Sequence, residues 1–174
     1  MYKVFPVLVL LCTVLNIEGS GGNIYWRDYI PGNIPDDAFE AAPGLYIGQA
    51  LYQGNLLVTT IYPYTDTAVG ELMGQRNFKH NIKILCSSSL EKLCWASVNF
   101  SEPVRDQMKN AVRGGYEEGV ASELYIGKDV LNKEWKIGKV IEITNSAKGL
   151  WVWSQDGTAL RQYEFYILKY NSTS

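Results

Sequence analysis

The sequence predicts an all-β protein built from one antiparallel unit used twice. Three observations carry that prediction. The tetrapeptide LYIG occurs at 45–48 and, letter for letter, at 124–127, so 124 minus 45 gives a period near 79 residues, as duplication of one supersecondary unit produces. Around each copy lie short runs rich in Leu, Ile, Val, Tyr and Trp, bounded by turn-forming pairs, which is strand punctuation. Only SEPVRDQMKNAV at 101–112 offers a helical turn, and Pro103 limits it.

Taken in order, the chain opens MYKVFPVLVLLCTVLNIEGSGG, with Lys3 ahead of an apolar run over Val4–Leu15 and small residues after it. That run is too short to span a bilayer. It reads as a secretory signal peptide over 1–19, cleaved near Gly19, the alternative being a buried N-terminal strand or helix. A first repeat follows over 24–88 and a second over 95–170. In the first, GLYIGQALY and NLLVTTIYP flank Gln53-Gly54, a hairpin signal, and the unit closes on NIKILC. In the second, LYIGKDVL and EWKIGKVIEI flank a polar turn. KGLWVWSQDG then sets Leu150 and Val152 against Trp151 and Trp153, ahead of Asp156-Gly157. QYEFYILKY sets Tyr163, Phe165 and Ile167 against Glu164, Tyr166 and Leu168. This period of two is a strand facing two environments. Each half alone, at about 70 residues, is marginal as a folding unit. The two are therefore expected to pack with approximate two-fold symmetry into one intertwined domain.

Composition narrows the function classes. The formal net charge is −2, which gives no electrostatic footprint for nucleic acid and no basic face for anionic lipid. No later stretch is apolar for long enough to cross a membrane. Aromatic residues make up 13% of the chain, led by tyrosine, and Tyr and Trp suit both strands and wet binding surfaces. After removal of Cys12 with the signal, Cys86 and Cys94 remain. In an oxidising compartment the pair is expected to form a disulfide across SSSLEKL, two free thiols being the alternative. A metal site is not expected, with His80 the sole histidine and no Cys-x-x-Cys, and no cofactor is expected. Asn99-Phe100-Ser101 and Asn171-Ser172-Thr173 are glycosylation sequons of the same compartment.

The order of motifs resembles the DM-nine repeat, a unit found in tandem pairs, including the natterin-like type. The first copy shows Trp26, GNIP at Gly32–Pro35, Ala38-Phe39 and LYIG. The second shows Ala111-Val112, Gly114-Gly115, Glu117, LYIGK, Ile137-Gly138-Lys139 and QYEFYIL. The resemblance implies a lectin-like, secreted protein that binds mannose-type sugars. In such members an acid after Gly-Gly and the lysine of Pro-Gly-Lys converge on sugar hydroxyls, roles that fall here on Glu117 and Lys139. A carboxylate accepts and an ammonium donates hydrogen bonds, which suits vicinal hydroxyls, and Trp135 is the aromatic expected to pack on the sugar C–H face. The first copy departs from the pattern: Thr60 stands in the lysine column, Glu40 lies a few residues early for the acid, and neither copy keeps Gly-Lys-Glu-His. Both Lys139 and Thr60 are expected at the surface, so that changing either should affect stability little.

The blander alternatives are specific. Glu117 and Lys139 form an ordinary ion pair on a solvated face, Trp151 and Trp153 are core, and His80 is a turn residue. The neighbouring acids Asp36-Asp37 and Glu117-Glu118 point to opposite faces of a strand and so make no acid–base pair. An enzyme is not expected, since Gly-x-Ser-x-Gly, His-Glu-x-x-His and a phosphate loop are all absent. A lipid-carrying barrel fits poorly with a two-unit period. The expectation is a secreted, extracellular protein with mannose-type glycans as partners, acting in innate recognition of microbes and compatible with a homodimer. The alternative is a non-catalytic structural or interaction module that keeps the fold without the sugar.

Overall fold

The computed structural model describes residues 24–120, 123–143 and 147–171. The expected signal peptide at 1–19 lies outside them. The first seven strands are β1 (Ile24–Asp28), β2 (Glu40–Ala42), β3 (Leu45–Tyr52), β4 (Asn55–Ile61), β5 (Ala68–Glu71), β6 (Gln75–Phe78) and β7 (Ile82–Ser87). A one-turn 3-10 helix at Leu90–Lys92 leads to β8 (Leu93–Asn99), β9 (Arg113–Tyr116), β10 (Glu123–Leu131), β11 (Glu134–Ile141), β12 (Gly149–Trp153), β13 (Ala159–Gln162) and β14 (Glu164–Tyr170). All pairings are antiparallel. The candidate helical segment 101–112 is a string of turns, in which Met108 N–H donates to Val104 O at 3.0 Å and Pro103 stands at the entry.

The pairing of the first seven strands recurs in the last seven. β3 pairs β4, β2 and β7, and β7 carries β1; β10 pairs β11, β9 and β14, and β14 carries β8. β5 lies on β4 and carries β6, as β12 lies on β11 and carries β13. The first pairing in each copy even breaks register at the same place, between Glu40 and Ala42 and between Leu124 and Tyr125. Trp95 on β8, opposite Leu168, stands where Trp26 stands on β1, opposite Leu85. The central hairpins turn on left-handed pairs, Gln53 and Gly54 at φ 48 and 80 and Asn132 and Lys133 at φ 52 and 69, as a two-residue hairpin loop demands.

The repeated LYIG has a packing cause. A Cβ on Gly127 would fall 2.6 Å from Val140 Cγ2 and 2.9 Å from Leu150 Cδ1; one on Gly48 would fall 3.0 Å from two Ile61 side-chain carbons and closer still to Thr59 Oγ1. Each copy therefore needs glycine where its central hairpin packs face to face with its neighbours.

The copies share their core. One cluster holds Ile47, Val58 and Leu85 with Val112, Ile126, Ile137 and Leu168; another places Leu124 and Ile141 among first-copy residues, and a third places Val69 among second-copy residues. The join is tied reciprocally. Gln49 donates to Gly114 O at 2.6 Å. At the matching position Lys128 donates to Ala41 O, its ammonium 4.3 Å and 4.6 Å from the Trp95 and Trp135 ring centres. Burial lowers the Lys128 pKa. The variable residue after LYIG, glutamine in one copy and lysine in the other, is thus a cross-copy tie in both.

Cys86 and Cys94 are separate thiols, which corrects the expected bridge. Their sequence proximity straddles the boundary between the copies. Cys86 sits on β7 opposite Tyr25, fully buried and bridged to Ala38, while Cys94 sits on β8 opposite Lys169. Burial, reinforced by the nearby Asp37 carboxylate, pushes the Cys86 thiol up to about 11. In the folded protein near neutral pH, an alkylating reagent should therefore label Cys94 and reach Cys86 only on unfolding. Peptide mapping that found the two joined, or labelled equally fast, would contradict this.

Candidate functional site

Glu117 and Lys139 meet at the join between the copies. β9 ends at Tyr116, and Glu117 begins the connection to β10. That connection spans 117–122, whereas the matching one between β2 and β3 has only Pro43 and Gly44. The first copy therefore has no loop on which an equivalent acid could ride. The loop is pinned by the first copy: Glu118 N–H donates to Asn55 Oδ1 at 2.7 Å, and Asn55 donates in turn to Tyr52 O and Gln53 O at 3.3 and 3.2 Å. Lys139 lies mid-β11, between Ile126 of β10 and Trp151 of β12.

The Lys139 ammonium hydrogen-bonds Glu117 Oε2 and lies 2.9 Å from Glu71 Oε2. Glu71 was not among the candidates from sequence. It closes β5, packed near β11 and β12, and is 3% exposed. Its Oε1 accepts from Gly74 N–H at 3.0 Å, leaving Oε2 with the ammonium as an ionic rather than a well-directed hydrogen-bonded partner. The signal available in the sequence was one acid, Glu71, in the apolar stretch AVGEL. A buried carboxylate needs a cation or donors, but nothing local says which.

Two sequence expectations are corrected. Lys139 is 4% exposed and Thr60 is 0% exposed, so neither is a surface side chain. Thr60 Oγ1 donates to Ile137 O at 3.0 Å and accepts from Ile137 N–H at 3.1 Å, imitating a strand pair across the join. The lysine column of the first copy is thus occupied by a structural tie. Trp135 is not at the site. It lies four residues from Lys139 along β11, about 13 Å at strand rise. Its ring faces Lys128 and meets Tyr166 edge-on at 6.0 Å.

The arrangement is a carboxylate–ammonium–carboxylate row opening outward through Glu117, whose side chain is 16% exposed. Of the three donors an ammonium carries, one hydrogen-bonds Glu117 Oε2, while Glu71 Oε2 faces the charge as an ion pair. Glu117 Oε1 has no partner among the described residues. One donor beside one acceptor can address a vicinal diol, whereas nothing here offers a nucleophile–base pair. Among the described residues no group of three or more His, Cys, Asp or Glu side chains could hold a metal ion, and no helix is long and apolar enough to cross a membrane. Asn99, at the end of β8, donates to Glu164 Oε1 at 3.0 Å and accepts from Ser101 N–H at 2.8 Å; Asn171 is exposed.

Comparison with known proteins matches this architecture. The chain aligns over its full breadth with the crystal structure of the nematode sperm cell motility protein MFP2B, at 12% identity and a TM-score of 0.56. The match covers 99% of this chain and 51% of that one, so the chain spans about half of that protein's length. At that identity the likeness is one of fold. Comparison with curated proteins gives no match. The family model described as DM9 repeat matches residues 39–152, which takes in both LYIG hairpins, Glu71, Glu117 and Lys139. The chain belongs to the DM9 repeat family.

Proposed function

We propose that this protein is a secreted, lectin-like carbohydrate-binding module that takes mannose-type glycans at Glu117 and Lys139. The observation that carries the reading is the junction itself. The two residues singled out by motif, 22 apart in sequence, come into hydrogen-bonding contact at the outer end of a buried charge row. Glu71 supports them from behind by fixing the ammonium. The leader and the two sequons fit a secreted glycoprotein, and innate recognition of microbes is the setting proposed for it.

One observation favours a second reading, an interaction module that has lost sugar binding: Lys139 is 4% exposed and already shared by two carboxylates. A glycan array followed by calorimetry separates the two. On the sugar reading a mannose-rich glycan binds, and Glu117→Gln weakens it roughly ten- to a hundredfold, the range for hydrogen bonds to charged groups. Trp135→Ala, remote from the site, should leave binding unchanged. Silence across the array would favour the interaction module, and a Trp135→Ala loss without a Glu117→Gln loss would move the site elsewhere.

A further inference from the structure

On the first copy, away from the charge row, an open groove of about 660 Å³ runs between the turn at Pro31–Gly32 and the turn at Pro63–Asp66. It continues past Ile34, Glu40 and Tyr46 into a second hollow of about 580 Å³ lined by Asp36 and Phe39. Its walls are fixed. Asn33 N–H donates to Ile30 O at 2.9 Å, Thr65 N–H to Tyr62 O at 3.0 Å, and the Tyr29 hydroxyl to Thr65 O at 3.4 Å. On this rigid turn Tyr64 is 98% exposed, with Ile30 at 62% on the facing one. Among the described residues nothing covers this aromatic ring on its braced turn.

The groove's charge is one-sided. Asp36, Glu40 and Asp66 line it, and among the described residues no lysine or arginine does. Lys79 meets Asp66 only in an exposed pair at 3.3 Å. Glu40 Oε1 is held by Gly44 N–H at 2.7 Å, which aims the carboxylate. The three acids are strung out rather than gathered, since no group of three or more metal-ligating side chains occurs among the described residues. Spaced carboxylates alternating with tyrosine faces match cations that are themselves spaced along an apolar stem. They repel phosphates and acidic ligands.

We propose that this groove binds an extended basic peptide segment of a partner protein, the side chains of its lysines or arginines lying over Tyr46 and Tyr64 with their charges on Glu40, Asp66 and Asp36. Proline walls at 31, 35 and 63 hold their backbone angle without ordering cost on binding, and aromatic-lined grooves of this shape receive extended, proline-containing chains. The site lies on the first copy and does not use Glu117 or Lys139.

The test is fluorescence anisotropy of the full chain with a labelled nine-residue peptide alternating arginine and proline. The same peptide with glutamate for arginine is the control. The basic peptide should bind, more weakly as salt rises, because exposed charges are screened. Tyr64→Ala should weaken it about three- to fivefold, the value of one exposed cation–π contact. Glu40→Gln with Asp66→Asn should weaken it at least about tenfold, from two lost charge pairs. Met73→Ala, 88% exposed elsewhere on the first copy, should change nothing. Absence of binding at low salt, equal binding of the glutamate peptide, or indifference to Tyr64→Ala overturns the proposal. So does a mannose-type glycan whose binding falls with Tyr64→Ala. Because Tyr64 and the two acids are exposed, a folding defect does not blur these outcomes, and none of them bears on Glu117 or Lys139.

Discussion

Gly115→Ala should destabilise the protein by about 3 kcal/mol, the upper end for forcing a methyl into packed structure, which is a fall in melting temperature of roughly 6–12 °C for a chain this size. A Cβ at Gly115 would lie 2.9 Å from the Leu56 carbonyl carbon and closer still to its oxygen. Both atoms are backbone, so no side chain can rotate away. The place matters as much as the distance. Among the described strands, the only ladder contact between the first seven and the last seven is Leu56 with Tyr116, the next residue along. β4 cannot retreat, because Leu57 and Val58 beside Leu56 are fixed in the core at 0% and 1% exposure. The comparison variant is Gly119→Ala. Gly119 has φ +81 and nothing within 4 Å of its Cβ position, so alanine there meets only the left-handed backbone penalty of about 1–2 kcal/mol. Urea denaturation of the two variants decides the matter. If Gly115→Ala melts with the parent, or Gly119→Ala is the worse of the two, the join is not where the copies are held.

How much of this was written legibly along the chain depends on what kind of contact is asked about. The β class and the doubled hairpin were legible because alternation and turn pairs are local, and Gly48 and Gly127 repeat because each copy packs its hairpin the same way. The Trp95 counterpart of Trp26 was hidden because the period is not constant. Trp26 precedes its LYIG by 19 residues and Trp95 by 29, the second copy having longer connections on either side of β9. The Glu117–Lys139 meeting was legible through motif order alone. Its burial was not, since one of the two acids that hold Lys139, Glu71, comes from the other copy. Glu71 is 68 residues earlier than Lys139, and only the packing of β5 near β11 and β12 brings them together. Trp135 misled for the opposite reason: four residues of strand separate two side chains that sequence makes look adjacent. Cys86 and Cys94 misled in the same way, being near in sequence but on strands of different copies.

Burial changes what Lys139 is expected to do when removed. Lys139→Met keeps the aliphatic length and deletes the charge, leaving Glu71 and Glu117 facing each other at a site where Glu71 is 3% exposed. Breaking a buried ion pair by removing one partner typically destabilises by about 3–5 kcal/mol, because the remaining charge has neither water nor counter-ion. Glu117, at 16% side-chain exposure, can turn outward and recover water; Glu71, at 2%, cannot. The penalty should therefore reside mainly in Glu71, and adding Glu71→Gln to Lys139→Met should restore a large part of the loss, a coupling that independent sites would not show. Glu71→Gln keeps an oxygen to accept from Gly74 N–H, whose present partner is Glu71 Oε1, so the turn it holds need not open. Thr60→Val should also destabilise, by about 1–3 kcal/mol, since it leaves the Ile137 N–H and C=O buried without their partner. Chemical denaturation of the parent, Lys139→Met, Glu71→Gln and the double variant gives the cycle. A Lys139→Met variant as stable as the parent would mean that the row is solvated after all. A double variant no better than Lys139→Met alone would mean that Glu71 is not the charge that suffers, and that the lysine is held in place by its packing on β11 rather than by the acid behind it.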